Sequence, residues 1–155
     1  MDRIDWSGAE LVLSAAHNSE SLSHDLGRLG SERHVLVVGM TQKEDISESI
    51  EPLLNSEGRI RTIVTEVHGG RAPSVPAENL SDHLSLESEV PPVIIAEPIE
   101  AIDTASRVAI EEGCIVYVTG SVYLVGKAMG EMVSRENGNL WKYLEAHRPR
   151  EQTEV

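Results

Sequence analysis

Five short apolar runs, separated by segments with helical periodicity, constrain the fold of this chain more than any other sequence feature. Most of the runs are rich in β-branched residues and are continuous rather than alternating with polar residues. This pattern is typical of strands that are covered on both faces, as in a parallel sheet. The runs are residues 11–13, 35–38, 60–64, 93–95 and 115–118.

The segments between these runs carry the i, i+3, i+4 spacing of amphipathic helices. The predicted helices span about residues 22–29, 46–54, 99–109 and 122–133, with a shorter one over 77–84. Glu44 and Asp45 favour a helix start, and Ser121 is suited to cap the last helix. This alternation predicts an α/β fold with a Rossmann-like, doubly wound, mostly parallel sheet of about five to six strands and helices on both faces.

The length of 155 residues suits a single domain. We expect this domain to span residues 1–147, with Trp141 and Leu144 packing a short extension against its body. Gly138 is expected to end the last long helix. Residues 148–155 are polar and are expected to form a disordered tail.

Composition limits the partners of the chain. Its net charge is −13, from 26 acidic and 13 basic residues, so phosphate backbones would repel it and we expect no nucleic-acid partner. No apolar run has the length of a membrane span, and the first residues lack the apolar core of a signal peptide, so we expect a cytoplasmic protein without membrane contact. Cys114 is the only cysteine, so no intramolecular disulfide can form, and we expect it to be a small buried hydrophobe.

Two turns at the carboxyl ends of predicted strands have residues suited to a ligand, which is where doubly wound sheets bind one. Residues 14–19 bring small residues, His17 and Asn18 to a helix start, where free N–H groups favour an anion. Residues 119–126 follow the last run and contain Gly120 and Ser121. In the first turn the structural alternative is that Asn18 or Ser19 only caps the helix that follows, and in the second that Ser121 does so.

Other positions carry weaker signals. Gly126 lies inside the last predicted helix, where glycine costs about 1 kcal/mol relative to alanine, so we expect close packing there. Lys43 could reach a phosphate or carboxylate, and Arg71 lies in a glycine-rich turn; a solvated surface position is the alternative for both. No dinucleotide-binding or phosphate-loop motif is present, and no metal site or catalytic residue is predicted.

Four segments, taken in order, resemble the carboxy-terminal domain of folylpolyglutamate synthase and dihydrofolate synthase, members of the Mur ligase superfamily. The family's Asp-Gly-Ala-His-Asn-Pro is similar to residues 14–19. Its Gly followed by an Asp-Lys-Asp run and its Arg-Ala followed by Glu-x-Leu are similar to residues 39–45 and 71–80. Its Thr-Gly-Ser-Leu-Tyr-Leu-Val-Gly, the most specific of the four, is matched at residues 119–126 with Val122 as the one substitution.

Such ligases phosphorylate a carboxylate with ATP, after which the amino group of glutamate attacks the acyl phosphate. The resemblance implies that this chain helps to bind the incoming L-glutamate and closes over ATP held by another domain. Mg-ATP is then the cofactor of the complete ligase, and none is bound tightly by this chain. The residues implied in the glutamate and nucleotide cleft are His17, Asn18, Ser121 and Tyr123. Those implied on its nucleotide side are Ser14, Lys43 and Arg71.

The chain departs from the family pattern at three positions: Ser14 replaces an aspartate, Ser19 a proline, and Gln42 the aspartate before the lysine. It also contains no segment that resembles the family's ATPase and folate-binding domain. Two functions therefore stay open: a ligase domain that is inactive without such a partner domain, and a non-catalytic binding or interaction module that kept the fold. A cleft without its partner domain would expose apolar surface, so weak self-association is also expected.

Overall fold

The computed structural model describes residues 1–85 and 90–137 and confirms the predicted α/β fold. The strands are β1 (Asp2–Trp6), β2 (Ala9–Leu13), β3 (His34–Val38), β4 (Arg59–Val64), β5 (Val93–Ile94) and β6 (Ile115–Thr119). The described helices are α1 (Ser19–Leu29), α2 (Ile46–Leu54), α3 (Ala77–Ser85), α4 (Pro98–Glu112) and α5 (Val122–Asn137).

The strands form one six-stranded sheet in the order β1-β2-β6-β3-β4-β5. β1 is antiparallel to β2, and the other neighbouring pairs are parallel. The chain passes from β2 to β3, continues outward through β4 to β5, and then returns to insert β6 between β2 and β3. As a result, the turns that follow β2, β6 and β3 are neighbours at the carboxyl edge of the sheet.

The helices cover both faces of the sheet, which explains why the apolar runs are continuous. Helices α1, α2 and α3 pack on one face together with Leu36 and Val38 of β3. Helices α4 and α5 pack on the other face together with Val35 and Val37. All residues of β3 and β6 are buried, so these two strands form the centre of the core.

The edge hairpin of β1 and β2 contains the one strand that the five apolar runs did not include. Polar residues interrupt β1, whose only buried residue is Trp6. The Trp6 indole Nε1 donates to Asp103 Oδ1 at 2.9 Å, and Arg135 makes two hydrogen bonds to the same carboxylate, at 2.7 and 2.8 Å. The Arg135 guanidinium also lies 5.0 Å from the centre of the indole ring. These contacts join the hairpin to α4 and α5.

Two sequence predictions are wrong in detail. An added Cβ at Gly126 would meet no atom within 4 Å, so this glycine lies on open surface and is not closely packed. Cys114 precedes β6 and is half-buried rather than buried, and this burial raises the pKa of its thiol. The predictions for Gly138, Trp141, Leu144, the domain end at residue 147 and the tail at 148–155 lie outside the described residues.

Candidate functional site

The turns that follow β2, β6 and β3 are hydrogen-bonded to one another. The Gly120 N–H donates to the Ala16 carbonyl at 2.9 Å, and the Thr119 hydroxyl donates to the same carbonyl at 3.3 Å. On the other side, the Gly39 N–H donates to the Thr119 carbonyl at 3.3 Å. Three of the four segments singled out from the sequence, at 14–19, 39–45 and 119–126, are therefore brought together at one edge.

Gly120 makes this close approach possible. Its φ is +111°, and a Cβ at this position would lie 2.3 Å from the Gly39 carbonyl oxygen. Only glycine satisfies both requirements. The approach holds the amino ends of α1 and α5 at the same edge, where the positive ends of two helix dipoles favour an anion.

Ser14 lies beneath its turn and takes part in a buried polar network. Its hydroxyl donates to the Asp25 carboxylate of α1 and accepts the Ala16 N–H at 3.2 Å. Tyr117 donates to the same Asp25 oxygen at 2.8 Å. Burial, reinforced by the hydrogen bond to Asp25, holds the pKa of Tyr117 far above its ordinary value, so its hydroxyl remains a donor.

His17 and Asn18 are exposed at the start of α1. The His17 Nδ1 lies 3.1 Å from the Ala15 carbonyl oxygen, and its Nε2 has no partner in the described part of the chain. Asn18 is the N-cap of α1: its Oδ1 accepts the N–H of Ser21 at 2.9 Å and its hydroxyl at 2.8 Å. The capping alternative is thus confirmed for Asn18, whose Nδ2 bonds to no described residue.

Ser121 caps α5, as the sequence predicted. Its Oγ accepts the Tyr123 N–H at 3.1 Å, and its hydroxyl proton has no acceptor among residues 1–85 and 90–137. Tyr123 is 41% exposed, and its ring lies against the backbone of Gly70, where a Cβ would be 2.8 Å from the ring Cε2. Its side chain therefore reaches the turn that follows β4.

The Lys43 Nζ donates to the His17 carbonyl, and this hydrogen bond joins the turn after β3 to the turn after β2. Partial burial lowers the pKa of Lys43. Arg71 is exposed and forms no hydrogen bond or ion pair with another described residue, so nothing ties it to the other predicted residues. Arg71 therefore fits the alternative of a solvated surface position, whereas Lys43 takes part in a contact between two turns.

Sequence reasoning missed Asp25, the acceptor that organises the buried network. A signal was available, since Asp25 follows Leu22 by three positions and precedes Leu29 by four, on the buried face of α1. A carboxylate on an apolar helix face indicates that other buried side chains donate hydrogen bonds to it.

The cluster offers hydrogen-bond donors at the Asn18 amide nitrogen, at the Ser121 hydroxyl, which is 4% exposed, and at two helix amino ends. Such a set is suited to carboxylate or phosphate groups. The His17 Nδ1 faces a carbonyl oxygen and carries the proton of the neutral imidazole, so its Nε2 is an acceptor. Within the described ranges there is no group of three or more His, Cys, Asp and Glu side chains that could hold a metal ion. The helices found there are all too short or too polar to cross a membrane.

Comparisons with known proteins give structural matches only. No family model and no curated protein matches the sequence. The fold matches folylpolyglutamate synthase from Mycobacterium tuberculosis, solved with ADP and AMPPCP, at a TM-score of 0.70 and 20% identity over 84% of this chain and 31% of that one. It matches the Thermotoga maritima enzyme at a TM-score of 0.69 and 23% identity, over 91% and 32%.

A third match is slightly higher in sequence identity than these two. The bifunctional folylpolyglutamate synthase/dihydrofolate synthase of Yersinia pestis is 25% identical at a TM-score of 0.60, over 80% of this chain and 28% of that one. This chain thus spans about a third of the length of the structures it matches. The predicted resemblance is confirmed for the fold: the described part of the chain has the α/β fold of the carboxy-terminal domain of folylpolyglutamate synthases.

Proposed function

We propose that this chain is the carboxy-terminal domain of a folylpolyglutamate synthase-like ligase. In this role it binds the incoming L-glutamate and closes over ATP held by another domain. ATP supplies the phosphoryl group that activates the acceptor carboxylate, and the residues of this chain orient the amino acid that attacks it. In this role the 155 residues act only together with the domain that holds ATP, since their own sequence has no phosphate-loop motif.

The observation that carries the proposal is the hydrogen bond from Gly120 to Ala16. It brings the amino ends of α1 and α5 together, and with them the free nitrogens of His17 and Asn18 and the free hydroxyl proton of Ser121. The Asn18 amide and the Ser121 hydroxyl are donors of the kind that a glutamate carboxylate needs, and two helix dipoles favour it further. The His17 Nε2, an acceptor in the neutral ring, suits the ammonium group of the same amino acid.

A calorimetric titration with L-glutamate tests the proposal. We expect weak binding by the unmodified chain and about tenfold weaker binding by Ser121→Ala, the size of one hydrogen bond to a charged group. Ser106→Ala is the matched control, because Ser106 is as buried as Ser121, at 4% exposure, and donates only within α4. Equal losses in the two variants would show that Ser121 acts through stability alone.

One observation favours the alternative, a non-catalytic binding or interaction module. Ser14 occupies the position where the ligases are expected to carry an aspartate, and its hydroxyl is engaged by buried Asp25. A module of this kind would keep the turns but lose affinity for the nucleotide. Titration with Mg-ATP separates the two functions, since we expect weak binding by a ligase domain and none by the module.

A further inference from the structure

A cavity lies at the same edge of the sheet, beyond the ends of β4 and β5. Its volume is about 370 Å³. The floor is apolar and consists of Val67, Pro98 and Leu124, all buried. None of its lining residues belongs to the turns at 14–19 and 39–45, and it shares Tyr123 and Leu124 with the segment 119–126.

Four polar side chains form the rim, and two of them are already engaged. The Glu97 carboxylate accepts the Glu100 N–H at 2.6 Å and so caps α4. The His68 Nε2 lies 3.4 Å from a carboxylate oxygen of Glu66. Neither group is therefore fully available to a ligand.

The two other rim groups are the Lys127 ammonium and the Tyr123 hydroxyl, and both belong to α5. Neither makes a hydrogen bond or ion pair with any residue in the ranges 1–85 and 90–137. They lie four positions apart, on the same side of the helix. Both can donate a hydrogen bond, and one carries a positive charge in a chain whose net charge is −13.

The position of the Tyr123 ring is fixed by the backbone of Gly70. A Cβ at Gly70 would lie 2.8 and 2.9 Å from two ring carbons, so the ring packs directly on this turn. The pocket thus has a preformed aromatic wall, an apolar floor and a pair of free donors at one side. A preformed cavity with few polar groups is the usual form of a small-molecule site.

We propose that this pocket binds a small monocarboxylate with a compact aromatic or branched apolar body. The carboxylate accepts hydrogen bonds from Lys127 and Tyr123, and the body covers Val67 and Leu124. A ligand with a second carboxylate is disfavoured, because the rim also carries the carboxylates of Glu97 and, behind His68, Glu66. This site goes beyond the proposed glutamate cleft: it shares Tyr123 with the residues implied there, but its other donor, Lys127, and its apolar floor do not belong to that cleft.

Benzoate is a suitable probe, and benzamide is its uncharged counterpart of the same shape. In amide-resolved NMR titrations without glutamate or nucleotide, we expect benzoate to shift residues 67–68, 96–98 and 123–127 and to bind about tenfold more tightly than benzamide. Lys127→Gln should abolish this preference. Arg107→Gln is the control, since Arg107 is an exposed cation of α4 that does not line the pocket.

Equal affinity for benzoate and benzamide would overturn the proposal, as would a preference for benzoate that survives Lys127→Gln. Shifts confined to the turns at 14–18 and 119–121 would also contradict it. Lys127 is exposed, so its replacement leaves the core intact and a negative result cannot be attributed to unfolding. Because the probe is neither glutamate nor a nucleotide, failure here leaves the proposed ligase role unaffected.

Discussion

The Ser14 hydroxyl donates a hydrogen bond to the Asp25 carboxylate, which lies buried on α1 beneath the candidate site. Tyr117 donates to the same carboxylate oxygen. Of these two donors, Ser14 also accepts the Ala16 N–H, and the Ala16 carbonyl in turn accepts the Gly120 N–H. A chain of four hydrogen-bonding groups thus runs from a buried acid to the contact that joins the two turns.

These hydrogen bonds predict that two substitutions lower the free energy of unfolding by similar amounts but differ in their effect on the turn. Ser14→Ala and Tyr117→Phe each remove one donor from buried Asp25, so each should lower the free energy of unfolding by about 1–3 kcal/mol. Only Ser14→Ala should also loosen the turn. Urea unfolding measures the first effect, and the hydrogen-exchange rate of the Gly120 amide measures the second.

Ser14→Thr is the conservative control, since it keeps the hydroxyl and should retain slow exchange at Gly120. If Tyr117→Phe accelerated exchange at Gly120 as much as Ser14→Ala did, the turn would not depend on the Ser14 link. The network would then serve core stability alone.

Gly120, in the turn before α5, and Gly126, within α5, should change the free energy of unfolding in opposite directions when replaced by alanine. Gly126 is surrounded by open space, so Gly126→Ala should raise the free energy of unfolding by about 1 kcal/mol. At Gly120, both a φ of +111° and the nearby Gly39 carbonyl oppose a side chain, so Gly120→Ala should cost at least about 1–3 kcal/mol. Thermal and urea unfolding of the two variants measure both effects, and stabilisation by Gly120→Ala would contradict the described turn.

The contact between Asp103 and Arg135 predicts a pH dependence of stability. Hydrogen bonds from Arg135, aided by one from Trp6, lower the pKa of Asp103 in the folded chain. A carboxyl group with a depressed pKa contributes stability above its unfolded pKa of about 3.9, and this contribution is lost as the pH falls through the folded pKa. Arg135→Gln should therefore reduce the loss of stability on acidification below about pH 4.

Urea unfolding of the unmodified chain and of Arg135→Gln, at a series of pH values, checks this expectation. Arg28→Gln on α1 supplies the control, because Arg28 is exposed, makes no ion pair with a described residue and is not among the groups that lower the pKa of Asp103. Parallel pH profiles for the unmodified chain and Arg135→Gln would show that the contact does not contribute.

The sequence predicted the sheet well because most of its strands are buried on both faces and leave continuous apolar runs. β1 was not predicted, because it lies at an edge of the sheet and its polar residues Asp2, Arg3 and Asp5 leave no continuous apolar run. The prediction for Gly126 was wrong for a different reason. A glycine within a helix suggests close packing, but only the three-dimensional fold shows that no other element approaches this position.

For the candidate site, the sequence predicted the turns but not the contacts between them. The turns were identified because small and polar residues directly follow apolar runs, and Ser121 was recognised as a cap from its position alone. The links between turns depend on strand order, which placed β6 between β2 and β3. The roles of Asp25 and Lys127 depend on which side chains share a face or remain unpaired, and local sequence does not carry that information.

The most direct test of the proposed ligase role is an amide-resolved NMR titration of the chain with L-glutamate and, separately, with Mg-ATP. We predict shifts that cluster at residues 14–18 and 119–123 and that weaken in Ser121→Ala but not in Ser106→Ala. Silence in both turns at millimolar ligand would contradict the role in glutamate binding and would favour a module that kept the fold without the ligand.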